Sequence, residues 1–206
     1  MKSGFIYPVV KFTLEKLKFF NLVELFKFIA RQFNFQPNNI ERPKELNRIG
    51  TDIFIISKWV FLISIWKTHQ TNSFITFTIW YFIVTNVYTY LYHHIWCDES
   101  LKTDDFSKDR IRRRFVHLSL AVAFSTYCFA YLYQMPYSSD IDWGIKYPAS
   151  LYSTMFSFSN SLAANYGDIK PKTDIGNIIS NIQLLITFVF ATIIISRSIP
   201  QTNSPN

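Results

Sequence analysis

The chain has 206 residues, the length of one domain or two small ones. Aromatic residues make up 18% of it and charged residues 17%, against about 25% charged in an average soluble domain. With 49% hydrophobic residues, five Gly and two Cys, the composition excludes disorder, a collagen-like repeat and a disulfide scaffold. An aromatic-rich soluble domain or a membrane protein remains.

The positions of the charges decide between the two. No Asp, Glu, Lys or Arg occurs from Thr68 to Cys97, and none in residues 115–139, 147–167 or 175–196. A helix crosses a bilayer with about 20 mostly apolar residues. One such stretch can lie in the core of a soluble fold, but the rest of so short a chain could not cover several. The sequence therefore predicts an all-α, multi-pass membrane protein. Its net charge of +7 then reports topology and attraction to anionic lipid, not a nucleic-acid partner. Cys97 and Cys128 are expected as free thiols. Met1–Val10 lack a long apolar run with a cleavage site, so the first spanning helix is expected to serve as an uncleaved insertion signal.

Residues 9–33 place Phe12, Phe19, Phe20, Val23, Phe26 and Phe33 at near-helical spacing, interrupted by Lys11, Lys16, Lys18, Lys27 and Arg31. This pattern predicts a basic amphipathic helix in the membrane interface, with a helix packed on other protein as the plainer alternative. Pro37, Pro43 and Gly50 mark 34–50 as a linker. The first span, about 49–66, carries Lys58 near its middle, which costs about 2.5–3.5 kcal/mol on insertion scales. Either Lys58 faces a protein interior, with Asp52 a candidate partner, or the span shifts and its ammonium snorkels to the interface.

The second span, 73–96, ends in Tyr90, Tyr92, His93, His94 and Trp96, which reads as an interfacial aromatic belt. Adjacent histidines on a helix point about 100° apart, which argues against their sharing a metal ion. The third span is about 115–135 and the fourth about 174–197, closed by Arg197 and Pro200. Lys and Arg number nine in residues 1–48 and six in 97–114, against one in 67–72 and three in 136–173. The positive-inside rule then puts both termini in the cytoplasm, with the chain in a plasma or inner membrane.

Between the third and fourth spans lies YPASLYSTMFSFSNSL, residues 147–162, too short to cross and return. It is followed by Ala163-Ala164-Asn165-Tyr166-Gly167-Asp168-Ile169-Lys170-Pro171. A half-spanning helix with an extended return is a re-entrant loop, which is tolerated where protein buries it or where it lines a water-filled path.

Met155 to Pro171 resembles the pore loop of tetrameric potassium channels, closest to the two-helix pore module of the bacterial-type ion-channel family. Phe156, Ser157 and Phe158 match that family's pattern, as do Tyr166, Gly167, Asp168, Ile169 and Pro171. The segment from Thr173 to Arg197 is similar to the family's inner helix, including a Gly soon after the Pro. The resemblance covers about 115–198 and implies a homotetramer around one pore. It implies that backbone carbonyls of Ala163, Ala164, Asn165, Tyr166 and Gly167 replace the hydration shell of a permeant ion. It implies that Tyr166 packs behind the filter strand and that Asp168 supports it at the outer mouth.

The filter departs from the pattern at its centre. Ala163-Ala164-Asn165 stands where the family has Thr-Val-Gly, and Leu162 replaces another common threonine. Ala163 offers no hydroxyl to the innermost ion site. Asn165 is the non-glycine type that best tolerates a left-handed backbone, so it is expected to take the first filter glycine's conformation. Potassium selectivity with reduced fidelity, a poorly selective cation pore and a non-conducting regulatory subunit all fit. Thr at 163 and Gly at 165 are expected to rescue potassium currents in a competent scaffold.

Leu184, Phe188 and Ile195 are candidate cavity or gate positions at helical spacing. No Gly lies between Ile178 and Ser196, so bending would fall to Thr187 or Thr192. No voltage-sensor spacing of Arg or Lys is present. Gating candidates are the basic N-terminus, the Arg112–Arg114 cluster at an anionic leaflet, and bilayer tension. The resulting layout is a cytoplasmic amphipathic region 1–48, two peripheral spans 49–96, a basic loop 97–114, a pore module 115–198 and a cytoplasmic tail 199–206. No catalytic group, metal site or cofactor is expected. The expected partners are the bilayer, three further copies of the chain, and anionic lipids at the N-terminal helix and Arg112–Arg114.

Overall fold

The computed structural model describes residues 4–17, 21–33, 42–96 and 108–198. The described residues are predominantly helical and form seven α-helices. They are α1 (Ile6–Leu17), α2 (Leu22–Gln32), α3 (Arg42–Lys67), α4 (Ser73–Leu91), α5 (Lys108–Gln134), α6 (Ser150–Ser161) and α7 (Asp174–Ser198). Four stretches are long and apolar enough to cross a membrane: Glu45–Lys67, Ser73–Leu91, Arg112–Gln134 and Asp174–Ile194. The chain divides into two compact units, residues 1–64 and 65–206.

In the first unit the single helix expected over 9–33 is two. Asn21 opens the second: its extended backbone and its side chain, which accepts from the Val23 N–H, cap the start of α2. The stretch read as a linker is also partly helical, because α3 starts at Arg42. Pro43 falls in the first turn, where its missing N–H costs nothing. Gly50 is a contact point rather than a breaker. A methyl group there would lie 2.9 Å from the Phe26 backbone oxygen and 3.1 Å from the Ala30 side chain, so its absence lets α2 lie directly on α3. Phe26 and Phe54 meet edge-to-face one turn further on, with ring centroids 5.3 Å apart. Lys58 is 5% exposed, with its ammonium 5.9 Å from the centre of the Phe54 ring. The interior-facing alternative for Lys58 therefore holds in place of snorkelling.

The second unit is built around α5. Six consecutive residues, Cys128 to Tyr133, are fully buried, so the helix is enclosed on every side at that level. On α4, Asn86 donates to the Ala121 carbonyl (2.9 Å) and to the Ser125 hydroxyl (3.0 Å), and the Tyr90 hydroxyl donates to the His117 carbonyl (2.7 Å). Tyr90, Leu118, Ala121, Phe190 and Ile193 join α4, α5 and α7 in one apolar cluster. The second span stops as an α-helix at Leu91, and Tyr92–Trp96 continue as one wider π turn. Cys128 is buried and forms no disulfide, while Cys97 lies outside the described residues.

Candidate functional site

α6 has 12 residues, about 18 Å at 1.5 Å per residue, too short for a hydrocarbon core of about 30 Å. Its amphipathicity is inverted. Ser153, Phe156 and Ser157 are buried and Asn160 half-buried at i, i+3, i+4 and i+7, whereas Leu151, Met155, Phe158 and Leu162 are exposed at the complementary spacing. A helix in water would turn the other way.

The polar face is inward because α7 supplies its partner. Gln183, 1% exposed, lies at the centre. Its Nε2 is within hydrogen-bond reach of the Ser157 carbonyl (2.8 Å), the Ser157 hydroxyl (2.7 Å) and the Ser161 hydroxyl (2.8 Å). Its Oε1 accepts from the Tyr133 hydroxyl (2.7 Å) and from Asn160 Nδ2 (2.8 Å). Asn160 also donates to the Ser180 carbonyl at 3.1 Å, and Ser157 donates to the Thr126 carbonyl at 2.7 Å. One amide side chain thus ties α5, α6 and α7 together, with both its polar ends satisfied.

α6 closes with a helix cap in the first residues of the predicted filter. The Ala163 N–H donates to the Asn160 carbonyl and the Ala164 N–H to the Ser159 carbonyl, both at 2.9 Å. Ala163 has φ +53. These are the two bonds and the left-handed residue of a Schellman motif, with Ala where Gly is usual. The left-handed residue expected at Asn165 is therefore at Ala163, and Asn165 keeps a negative φ. The helix end decides this: its unpaired carbonyls fix which residue must turn.

The return segment is not one extended strand. Gly167 has φ +57, Asp168 does not, and the Ile169 N–H donates to the Tyr166 carbonyl at 3.2 Å, the pattern of a II′ turn. Beyond it β2 (Lys170–Pro171) pairs antiparallel with β1 (Ile141–Asp142) from the loop before α6. Thr173 caps α7, accepting from the Gly176 N–H (3.2 Å) and donating to the Asp140 carboxylate (2.7 Å). A methyl group at Gly176 would collide with the Asp140 backbone oxygen. This is the Gly that the family resemblance placed after the Pro, and close approach is its reason.

Tyr166 does not pack behind a strand. The Lys146 ammonium lies over its ring, 4.5 Å from the centroid, and 5.0 Å from that of Tyr152. Asp168 packs beside Gly144 of the same loop: a methyl group at Gly144 would be 2.9 Å from the Asp168 Cβ.

Ala163, Ala164, Asn165, Gly167 and Asp168 are exposed and Tyr166 half-buried. Leu184 is half-buried, Phe188 is exposed, and the side chain of Ile195 lies outside what is described. Phe188 falls in an exposed stripe with Ile178, Asn181, Leu185 and Thr192. α7 is helical from Asp174 to Ser198, through both Thr187 and Thr192.

Sequence reasoning missed Gln183, Asn160, Tyr133 and Lys146. A usable signal existed: an amide inside a charge-free span is expensive unless it is bonded, and Ser153, Ser157, Asn160 and Ser161 share one face of α6. Among the described residues no three His, Cys, Asp or Glu side chains converge on a point that could hold a metal ion. No protein-family model matches the chain, and neither a characterised protein nor a solved structure matches it.

Proposed function

We propose that the chain is one subunit of a tetrameric cation channel, with α6 as its pore helix and residues 163–167 beside the ion path. The observation that carries this reading is the inverted amphipathicity of α6 together with the exposed segment after it. A short helix that hides Ser153 and Ser157 and presents Leu151, Met155, Phe158 and Leu162 fits a surface of lipid or further subunits. An exposed non-helical backbone at 163–168 in such a chain fits a water-filled path on the other side. The resemblance of Met155–Pro171 to potassium-channel pore loops points the same way. Potassium is the first permeant ion to test, and the stripe Ile178, Leu185 and Phe188 is the candidate cavity lining.

The second reading, a poorly selective or non-conducting regulatory subunit, has its own support. Lys146 puts a fixed positive charge over Tyr166, which repels cations from this segment. The helix cap at Ala163 also removes one residue from an extended filter.

Purified protein in liposomes, with potassium and sodium gradients compared side by side, tests the proposal. Potassium flux well above sodium supports an intact filter, and comparable fluxes support a loosened one. Silence from chemically cross-linked, verified tetramers, retained after Lys146→Ala, would leave the regulatory subunit as the reading.

A further inference from the structure

The first unit carries an apolar surface that its own fold does not use. α1 buries none of its residues, and Ile6, Val9, Val10 and Leu17 are exposed along one side of it. α2 has two apolar sides. Phe26 and Ala30 meet α3 and Val23 is buried, while Leu25, Phe28, Ile29 and Phe33 stay exposed next to them. The charged residues of α2, Glu24, Lys27 and Arg31, share one sector, and exposed Gln32 is the one polar residue on the Leu25–Phe28 side, in the last turn.

Two observations say what covers this surface. The first is its level along α3. α2 touches α3 at Gly50 and Phe54, within the first three turns of the stretch Glu45–Lys67 that is apolar and long enough to span a bilayer. A helix seated there lies at the depth of the headgroups and upper acyl chains. The second is charge. Leaving aside buried Lys58, residues 1–64 hold nine Lys and Arg against five Asp and Glu. On α1, exposed Lys11 and Lys16 flank the apolar stripe, and the Lys16 ammonium lies 5.5 Å from the centre of the exposed Phe12 ring.

We propose that α1 and the outer face of α2 form a surface-lying clamp on a bilayer leaflet rich in anionic lipid. Leu25, Phe28, Ile29 and Phe33 enter the acyl-chain boundary, and the basic residues meet the headgroups. The clamp does not depend on ion conduction, so it stands or falls separately from the channel reading. Each basic residue near an anionic surface adds attraction that falls off within a Debye length, so retention of α1 should weaken with added salt while α2 stays held by α3.

Spin labels on the full chain test this. They are attached at Val10→Cys, Glu15→Cys, Glu24→Cys and Ile29→Cys in a Cys97→Ser background, with buried Cys128 left in place. The protein is reconstituted in phosphatidylcholine bilayers with and without phosphatidylglycerol, and collisions with oxygen and with a nickel chelate are compared. With phosphatidylglycerol, labels at 10 and 29 should favour oxygen and those at 15 and 24 should favour nickel. Without it, or at high salt, the label at 10 should change to favour nickel while that at 29 keeps its preference. Nickel-favouring labels at 10 and 29 in anionic bilayers would overturn the clamp. Labels there that neither reagent reaches would overturn it in favour of a protein partner. A preference at 10 that ignores lipid charge and salt would overturn the anionic-lipid part.

Discussion

Two helix contacts in this chain solve the same problem by opposite means. Between α2 and α3 the surfaces approach through absence: Gly50 has no side chain, and Phe26 and Ala30 of α2 settle over it. Among α5, α6 and α7 the surfaces approach through presence, because Gln183 of α7 fills the space and bonds to both α5 and α6. Lipid tails are as apolar as Leu, so neither contact is driven by hiding hydrocarbon from water at membrane depth. Close packing and hydrogen bonds are what remains. The first contact tolerates any polarity but no added volume. The second tolerates volume but no loss of polarity, and that makes it directional. It fixes the rotation of α6 about its own axis, and hence the side from which residues 162–168 leave it.

The largest effect should come where absence is most strictly required. Gly176→Val puts branched carbon into the Asp140 backbone oxygen, which cannot move without opening the β1–β2 pair and the Thr173 cap. A loss of about 3 kcal/mol is expected, the upper range for overpacking, read as a lower midpoint of unfolding in mixed detergent micelles. Gln183→Leu comes next. It keeps the volume but removes the nearest acceptor of the Tyr133 hydroxyl and one of the acceptors of Asn160, and a loss of about 2 kcal/mol is expected. This exceeds the 0.6 kcal/mol or so of an average interhelical bond in a membrane because one side chain makes polar contacts with four residues. A double change, Gln183→Leu with Asn160→Leu, should lose less than the sum of the two single changes. Additivity would show that the network is a set of independent bonds. Gly50→Ala is the matching change in the other contact. Ala gains about 1 kcal/mol of helix propensity, but its methyl group meets backbone at 2.9 Å and 3.0 Å. A net loss of about 1 kcal/mol is expected in the same assay. A gain would mean that α2 slides on α3 at little cost.

The contrast also explains what could be read in advance. The four spans were legible because charge-free runs of this length have no other use in a short chain, and their ends in the fold fall close to the expected ones. The α2–α3 contact was not, because Pro43 and Gly50 have the composition of a linker. Only position within a helix makes the Pro harmless and the Gly a contact. The segment after α6 was legible only as a loop, and its family resemblance over Met155–Pro171 rests on the sequence alone. The conformation of the segment was not legible, because propensity favours Asn165 for a left-handed backbone, whereas the end of α6 assigns that backbone to Ala163. Gln183 went unread because a single amide in an apolar run acquires meaning only once the facing helix is known.

The smallest expected effect is the most informative about the site. Ala163 holds φ +53 at the closing position of α6. A left-handed backbone costs an L-residue roughly 1–2 kcal/mol, and glycine removes that cost. Glycine also adds about 0.4–1 kcal/mol of unfolded-state entropy, which offsets part of the gain. Ala163→Gly should therefore stabilise the protein by about 0.5 kcal/mol, a small rise in the same unfolding midpoint. Ala163→Thr, the change the family pattern invites, should instead lose about 1–2 kcal/mol, since a β-branched residue at positive φ is strained. The order Gly above Ala above Thr is the signature of a helix cap at this residue. If Thr proved as stable as Ala, and Ala163→Thr with Asn165→Gly raised potassium flux over sodium, residue 163 would have to leave the left-handed region. The cap at the end of α6 would then give way to an extended filter strand, and the directional contact made by Gln183 would be orienting a pore lining rather than a closed turn.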